Sequence, residues 1–235
     1  IKVYYKPIPY IYSAFPSDED LYALFRAGAQ LTRRLVSTAI NQRNTLKMRT
    51  LRMRQAKKAV DHGCYLDRVS ETDETGLQEF WTLLEDVLMT RHHSKPVHTY
   101  QEILLLMRLF PKNIKLYVVK REDHIVAGTV IFESRQVAHV QYIASGDEGR
   151  EYGAIDLLFK HLINERYKQM EYVDMGTSNE NDGKFLNEGL IFQKEGFGGR
   201  AVCYDTYEVD LRNSLIDSMT GNIRSTQTPT VKYLD

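Results

Sequence analysis

Cysteine is scarce in this chain, and its charges cancel. The 235 residues include only two cysteines, Cys64 and Cys203, which form neither a disulfide framework nor a zinc motif. We therefore expect a reducing compartment and predict a cytoplasmic location. Lys plus Arg and Asp plus Glu both number 31, and this zero balance disfavours a dedicated duplex-DNA binder, which needs a net basic surface.

Long hydrophobic runs and metal-binding spacings are also missing. No apolar stretch approaches the 18 residues of a membrane span, and no signal-peptide core is visible. His92, His93 and His98 lack the i, i+4 spacing of a helical zinc pair, so we predict no metal. With 43% apolar and 26% charged residues, the chain is typical of a globular protein that buries its own core.

Positive charge is concentrated in one segment, residues 43–58, which contains no acid. Apolar residues recur there at helical spacing, which predicts an amphipathic basic helix that ends at Gly63. Two interpretations are open: a solvated helix face, or a docking surface for a tRNA acceptor stem or another polyanion. The apolar face would comprise Leu46, Met53, Ala56 and Val60, and the cations are Arg43, Lys47, Arg49, Arg52, Arg54, Lys57 and Lys58.

The pattern of the remaining chain predicts alternating short elements. Residues 1–12 are typical of an edge strand or extended arm, 18–31 of a helix with Asp18 as a plausible cap, and 34–40 of a strand. From 63 to 211 the predicted order is β-α-α-β-β-β-α-β-α-β. Its parts are a strand at 64–69, a helix at 74–91 capped by Asp73, a helix opened by a Thr99–Glu102 capping box, a meander of 114–120, 125–133 and 136–145, a glycine-bearing loop at 146–153, a helix from Ile155, a strand at 171–178, a helix at 182–194 and a strand at 201–211.

Three segments carry a resemblance to a known family. RTLRMRQAKKAVDHG (49–63), EYVDMGTSNENDG (171–183) and QKEGFGG (193–199) are similar to segments of FemAB-like proteins, which have the GNAT acyltransferase fold. The resemblance implies an α/β (α+β) fold with a mixed, mainly antiparallel sheet and flanking helices. It divides the chain into a partial first GNAT-like half or N-terminal arm (1–45), a GNAT-like acyltransferase domain (46–211) and a C-terminal tail (212–235).

The same resemblance implies a function. FemAB-like proteins transfer an acyl or aminoacyl group from an activated donor to an amine, here expected on a cell-envelope or polysaccharide precursor. The amine would attack where the third meander strand and the next strand separate. Acyl-CoA and aminoacyl-tRNA are the two candidate donors, and a non-catalytic binding module that retains the fold is the alternative.

Polar residues in the third meander strand suggest a catalytic role. Alternation places His139 and Gln141 on one face with Val137 and Ile143. We expect His139 to act as general base, with Asp174 as a second catalytic residue and Gln141 beside the donor. The competing interpretation is a pair of satisfied polar groups under a loop. The opposite face, Ala138, Val140, Tyr142 and Ala144, is predicted to be entirely core.

Donor-binding residues are expected in the next loop. Arg150 and Gly153 match part of the phosphate-loop motif of CoA-dependent GNAT proteins, and Lys194 would offset an anionic donor. However, Asp147, Glu148 and Glu151 would repel a pyrophosphate, so a loop that only caps a helix is equally consistent with the sequence.

Acceptor-binding residues are expected in SNENDGK (178–184), which follows a strand end. Asn179, Asn181 and Lys184 would orient an acceptor sugar or peptide. Asx-turn chemistry that closes a loop is the alternative explanation for these residues.

Overall fold

The computed structural model describes residues 1–211, apart from the side chain of His92, and the predicted tail at 212–235 lies outside the described residues. Its contacts divide the chain into two compact units. The larger unit comprises Ile8–Pro16 and Leu35–Tyr204. The smaller unit comprises Ile1–Pro7, Ser17–Arg34 and the described residues from Asp205 onward.

The described residues form ten strands and seven α-helices. In chain order these are β1 (Lys2–Tyr5), α1 (Glu19–Arg26), β2 (Gln30–Asn41), α2 (Thr50–Asp61), β3 (Tyr65–Val69), α3 (Glu74–His92), α4 (Tyr100–Leu109), β4 (Ile114–Arg121), β5 (His124–Glu133), β6 (Val137–Ser145), α5 (Asp147–Tyr152), α6 (Ala154–His161), β7 (Tyr172–Thr177), β8 (Asn179–Glu180), β9 (Phe185–Leu186), α7 (Glu188–Glu195) and β10 (Arg200–Asp210). Short 3-10 turns lie at Tyr10–Tyr12 and Asn181–Gly183, and a π-helical turn spans Leu162–Arg166.

In the smaller unit, β1 pairs antiparallel with the end of β10, from Lys2 opposite Asp210 to Tyr5 opposite Tyr207. The predicted strand or arm at the N-terminus is therefore a strand. Helix α1 is shorter than predicted because Gly28, with φ of +67°, turns the chain into β2. Asp18 precedes α1, but its side chain makes no capping hydrogen bond.

The sheet of the larger unit has the strand order β2-β7-β6-β5-β4-β3. All neighbouring pairs are antiparallel except β6 and β7, which are parallel. Helices flank this sheet through two buried clusters, one containing residues of α2 and α6 and the other residues of α3 and α4. The predicted fold class, a mixed and mainly antiparallel sheet with flanking helices, is confirmed.

Local signals explain the helices before and within the meander. The Thr99 hydroxyl accepts from the Glu102 backbone N–H, and the Glu102 carboxylate accepts from the Thr99 N–H at 2.7 Å, which confirms the capping box. The Asp73 side chain accepts from the Gly76 N–H at 2.9 Å and begins α3. The three meander strands β4, β5 and β6 are also confirmed.

A bulge in β6 changes the predicted faces of this strand. Val130 lies opposite Tyr142, whereas Ile131 lies opposite Val140, so Gln141 is an extra residue without a counterpart. Since one extra residue reverses the alternation, the predicted single core face is wrong. Ala138 and Val140 pack in the cluster with α2 and α6, whereas Tyr142 and Ala144 pack in the cluster with α3 and α4.

The prediction of a basic helix over residues 43–58 also needs correction. Residues 43–49 are not helical, and α2 begins at Thr50. Its buried residues are Ala56 and Ala59, whereas Met53 and Val60 from the predicted apolar face are 39% and 56% exposed. Small alanines face inward because α2 packs closely against α6, and longer side chains would not fit between them.

Two predictions after the meander need correction. The expected loop at 146–153 contains α5, and Gly153 separates it from α6. The helix predicted over 182–194 begins only at Glu188, where the Asn187 side chain accepts from the Leu190 N–H at 2.9 Å. The preceding polar residues form the small hairpin of β8 and β9, because Asn181 and Asp182 adopt positive φ.

Candidate active site

Strands β6 and β7 separate at the candidate site. Their parallel pairing covers only three residue pairs and ends where His139 lies opposite Asp174. Beyond that pair, the bulge at Gln141 bends β6, and Gly176, with φ of +75°, turns β7. Main-chain groups on the facing edges are therefore left without a partner in the β6–β7 ladder, which is the arrangement that the family resemblance implies.

His139 and Asp174 form a hydrogen-bonded pair at this separation. The His139 Nδ1 atom lies 2.9 Å from Asp174 Oδ2. Asp174 is fully buried, whereas the His139 side chain keeps 24% of its surface exposed. Since a carboxylate accepts only, Nδ1 carries the proton and Nε2 is left as the proton acceptor.

Asp174 is held as an anion by further donors. Burial alone raises the pKa of Asp174, but the hydrogen bond and charge of His139, with the hydroxyls of Ser37 and Tyr204, hold the pKa well below its usual range. The Ser37 hydroxyl and the Gly176 backbone N–H both donate to Oδ1. The carboxylate therefore stays ionised throughout the physiological pH range.

Two tyrosines complete the surroundings of Asp174. The Tyr12 hydroxyl donates to Oδ2 at 2.7 Å, and the Tyr204 hydroxyl donates to the same oxygen. Burial, followed by the charge of Asp174, raises the pKa of both tyrosines. Both phenols therefore remain protonated donors.

Lys194 supports the separated end of β7. Its Nζ donates to the carbonyl oxygens of Gly176 at 2.9 Å and Thr177 at 2.8 Å. Burial lowers the pKa of Lys194 to about 8, although the charge of Asp174 opposes this shift. The structure gives Lys194 a structural role, because its ammonium group is committed to strand carbonyls, and its role against an anionic donor stays a prediction.

A cavity of about 490 Å³ lies among α2, α5, α6 and α7, where the sequence predicts donor binding. Arg150 and Gly153 line it, whereas Gln141 and Lys194 do not. Its full lining is Leu51, Arg52, Gln55, Lys58, Ser145, Gly149, Arg150, Glu151, Gly153, Ile155, Asp156, Gly189, Phe192 and Gln193.

Gly153 is required at this place by packing. It has φ of +81°, and a Cβ atom there would lie 2.8 Å from the Gln55 carbonyl oxygen of α2. The α2 backbone occupies the space that a side chain at position 153 would need. Packing alone therefore explains this glycine, whether or not a donor binds nearby.

The cations around the cavity already have partners within the protein. Arg52 lies 3.0 Å from Asp156, and Lys58 donates to the Glu151 carbonyl oxygen at 2.6 Å. Burial raises the pKa of Asp156 to about 6, and Arg52 opposes that shift. Arg150 donates to the Ser145 carbonyl oxygen and to a carboxylate of α5.

These contacts do not form an anion cradle. The carboxylates of Glu151 and Asp156 line the same cavity, and their negative charges would repel a pyrophosphate there. The donor set therefore does not fit acyl-CoA, and we derive no step through this cofactor. Within the described residues, no group of three or more His, Cys, Asp or Glu side chains is arranged to hold a metal ion.

The predicted acceptor residues lie in the β8–β9 hairpin region. The Asn179 side chain accepts from the Val36 backbone N–H at 2.6 Å and so ties the hairpin to β2. Asn181 and Lys184 are exposed, and the Lys184 N–H donates to the Asn181 carbonyl oxygen at 3.2 Å. Asn179 thus has a structural role, whereas the side chains of the other two face solvent.

Sequence analysis missed Tyr12, Ser37 and Tyr204. Ser37 left a signal in the sequence, because it is a polar residue among the apolar residues of β2, and the structure shows that it is fully buried. The two tyrosines left none, since aromatic residues are common throughout both strand-like segments.

A comparison with known families agrees with this fold and identifies the family of the chain. The model described as Acetyltransferase (GNAT) domain matches residues 46–182, more than half of the chain. The protein therefore belongs to the GNAT acetyltransferase-domain family, and its predicted GNAT character is confirmed. No curated protein matches the chain.

Solved structures share this fold at low sequence identity. L-PGS from Bacillus licheniformis has a TM-score of 0.63 and 15% identity over 86% of this chain and 69% of its own. FemX has a TM-score of 0.62 and 10% identity over 86% and 70%. The C-terminal domain of a putative lysylphosphatidylglycerol synthetase from Agrobacterium fabrum has a TM-score of 0.61 and 12% identity over 88% and 72%.

The structure also bears on whether a helix of this chain could span a membrane. Among residues 1–211, no helix combines the length and the hydrophobicity needed to cross a bilayer. The cytoplasmic location stays a prediction.

Proposed function

We propose that this protein is an N-acyltransferase that moves an acyl or aminoacyl group from an activated donor to an amine of a cell-envelope or polysaccharide precursor. The observation that carries the proposal is the buried Asp174–His139 pair at the point where β6 and β7 separate. It combines a proton acceptor with free main-chain edges, and N-acyl transfer requires both.

In the proposed step, the amine nitrogen attacks the acyl carbon, and a C–N bond forms as the bond from that carbon to the donor oxygen or sulfur breaks. His139 Nε2 removes the proton from the attacking nitrogen and then donates it to the leaving oxygen or sulfur. Asp174 stabilises the imidazolium ion formed during transfer. Backbone N–H groups at the separated strand edges would stabilise the oxyanion.

The donor is proposed from the cavity lining. Because the cations there are paired and the carboxylates of Glu151 and Asp156 also line the cavity, we propose an aminoacyl ester over acyl-CoA as the donor. The observation in favour of aminoacyl-tRNA is the basic segment 43–58, in which the side chains of Lys47 and Arg54 make no hydrogen bond or ion pair within the part of the chain that the structure describes.

The acceptor site and the domain division remain part of the proposal. Asn181 and Lys184 are exposed polar groups near the end of β7, and we assign them to the acceptor. Residues 1–45 would be the remnant of a first GNAT-like half or an arm, and 46–211 the acyltransferase domain.

A transfer assay tests the proposal. Acyl-CoAs and aminoacyl-tRNAs are offered with amino-sugar and peptide amine acceptors to the parent and to His139→Ala. Loss of the general base is expected to lower kcat by about 10²–10⁴-fold. His124→Ala, which changes an exposed histidine at the start of β5, is the matched control and should keep parental activity.

Two results would contradict the proposal. Parental activity in His139→Ala would remove this residue from the chemistry. Failure of every donor to be transferred or to raise the melting temperature would favour the alternative, a non-catalytic GNAT-fold binding module. A response to acyl-CoAs alone would replace the aminoacyl donor.

A further inference from the structure

We infer that Tyr12 and Tyr204 are positioning residues of the transfer centre, because their hydroxyls hold the Asp174 carboxylate and, through it, the imidazole of His139. The inference rests on the proposed function of His139. It makes the N-terminal segment 8–16 and strand β10 necessary parts of the active centre.

The geometry connects Tyr12 with both members of the catalytic pair. Its hydroxyl oxygen lies 2.7 Å from Asp174 Oδ2 and 3.1 Å from His139 Nδ1. The Nδ1–H group is therefore shared between the carboxylate and the Tyr12 oxygen, while the Tyr12 proton points to Asp174. Tyr204 reaches the same carboxylate oxygen and lies 3.2 Å from the Tyr12 hydroxyl.

This arrangement constrains the imidazole in two ways. The ring has two anchors on the Nδ1 side, so its rotation is restricted. The proton is also kept on Nδ1, because Asp174 and the Tyr12 oxygen both accept it. Since only the other nitrogen can then accept a proton from an amine, these hydroxyls preserve the tautomer that the proposed mechanism needs.

The positioning groups lie outside the part of the chain that defines the family. The GNAT domain model covers residues 46–182, whereas Tyr12, Ser37 and Tyr204 all fall outside it. Ile11, beside Tyr12, is completely buried with Ala39 and Val202, so segment 8–16 is anchored and not merely adjacent. The domain supplies the catalytic pair, and the flanking segments supply the groups that orient it.

The test compares Tyr12→Phe and Tyr204→Phe with the parent and with Tyr10→Phe. Each change removes one hydroxyl and keeps the ring. Tyr10 is the matched control because it lies two residues from Tyr12 and is 61% exposed. We expect Tyr12→Phe and Tyr204→Phe to lower kcat about ten- to hundredfold with little change in KM, as for other residues that orient a catalytic group.

A second measurement does not depend on the substrate. Nitrogen-15 NMR of the imidazole reports which ring nitrogen carries the proton. We expect the His139 Nδ1–H tautomer to dominate in the parent and in Tyr10→Phe, and the share of the Nε2–H tautomer to increase in Tyr12→Phe, because one acceptor for the Nδ1 proton and one anchor of Asp174 are lost. Thermal unfolding of each variant verifies that the fold is retained.

The outcomes separate this inference from the proposed function. If His139→Ala abolishes transfer but Tyr12→Phe matches Tyr10→Phe in kcat and tautomer, the inference is wrong and the proposed function stands. If His139→Ala is fully active, the proposed role of His139 fails instead. If no donor is transferred, the tautomer measurement alone decides whether Tyr12 positions the ring.

Discussion

At the scale of single residues, the lowered pKa values of two buried groups have opposite meanings: the charged form of Asp174 is favoured, whereas the charged form of Lys194 is disfavoured. Asp174 has its pKa lowered because hydrogen bonds and the charge of His139 more than offset its burial. It therefore contributes stability above the unfolded-state pKa of a carboxylate, and this contribution is lost only as the pH falls through its lower folded value. Lys194 has its pKa lowered by burial, so its charged form is the disfavoured one.

The lowered pKa of Lys194 predicts a pH dependence of stability. The folded pKa is about 8 against an ordinary value of 10.5, so between these values the unfolded state binds more protons than the folded state. The free energy of unfolding should therefore rise with pH in this window, and Lys194→Met should lack that part of the rise. Urea unfolding at a series of pH values measures the difference between the two proteins.

Only the difference in unfolding free energy between the parent and Lys194→Met is informative, because tyrosines and other lysines titrate in the same pH window and affect both proteins alike. Lys184→Met, which changes an exposed lysine, is the control and should follow the parent curve. Parallel curves for the parent and Lys194→Met would show that the Gly176 and Thr177 carbonyls compensate fully for burial of the ammonium group.

At the scale of elements, helices and strands depend on single backbone positions. Gly153 and Gly63 both adopt positive φ, +81° and +79°. They differ in surroundings, since a Cβ at Gly63 would meet nothing within 4 Å, whereas one at Gly153 would meet the backbone of α2. The pair therefore separates backbone strain from packing between α2 and the α5–α6 junction.

We predict that Gly63→Ala costs about 1 kcal/mol of unfolding free energy through strain alone. Gly153→Ala should cost about 2–4 kcal/mol because α2 must also shift away from the new methyl group. Chemical denaturation of the two variants measures both. Equal losses of unfolding free energy would show that α2 can shift without cost. Packing would then not explain Gly153, and donor binding would remain as its predicted role.

At the scale of the whole molecule, charge is balanced overall and is largely neutralised locally. The net charge is zero, and five of the seven cations in 43–58 contact partners: Arg43 pairs with Glu171, Arg49 stacks on Phe192, Arg52 pairs with Asp156, Lys57 pairs with Asp61 and Lys58 donates to Glu151. Within residues 43–58, Lys47 and Arg54 are therefore the two cations that a polyanion could contact without competing with these partners.

This charge distribution predicts weak, salt-sensitive tRNA binding that depends on those two residues. Changing both Lys47 and Arg54 to Gln should reduce the magnitude of the slope of log affinity against log salt by about 0.7–0.9 for each lost phosphate contact. Lys57→Gln is the control because Lys57 is paired with Asp61 at 2.7 Å. Filter binding at several salt concentrations measures the slope, and no retention even at low salt would exclude aminoacyl-tRNA as the donor.

Local sequence was sufficient for most of the architecture. Capping at Asp73 and Thr99 located α3 and α4, and the change of period at 114 located the meander, because these signals lie within a few residues of one another. Two predictions were wrong: the start of α2, and the helix predicted where the β8–β9 hairpin lies. Cations continue through 43–49 without a helix, and Asn181 and Asp182 adopt turn dihedrals within a segment that looked helical.

By itself, the sequence determined the fold class, the GNAT family and the candidates His139 and Asp174. Tertiary structure alone decided how the centre is completed. Tyr12 and Tyr204 are 192 positions apart, and no local pattern records that both meet one carboxylate. The bulge at Gln141 was likewise invisible, because an extra residue shows only against the register of the neighbouring strand.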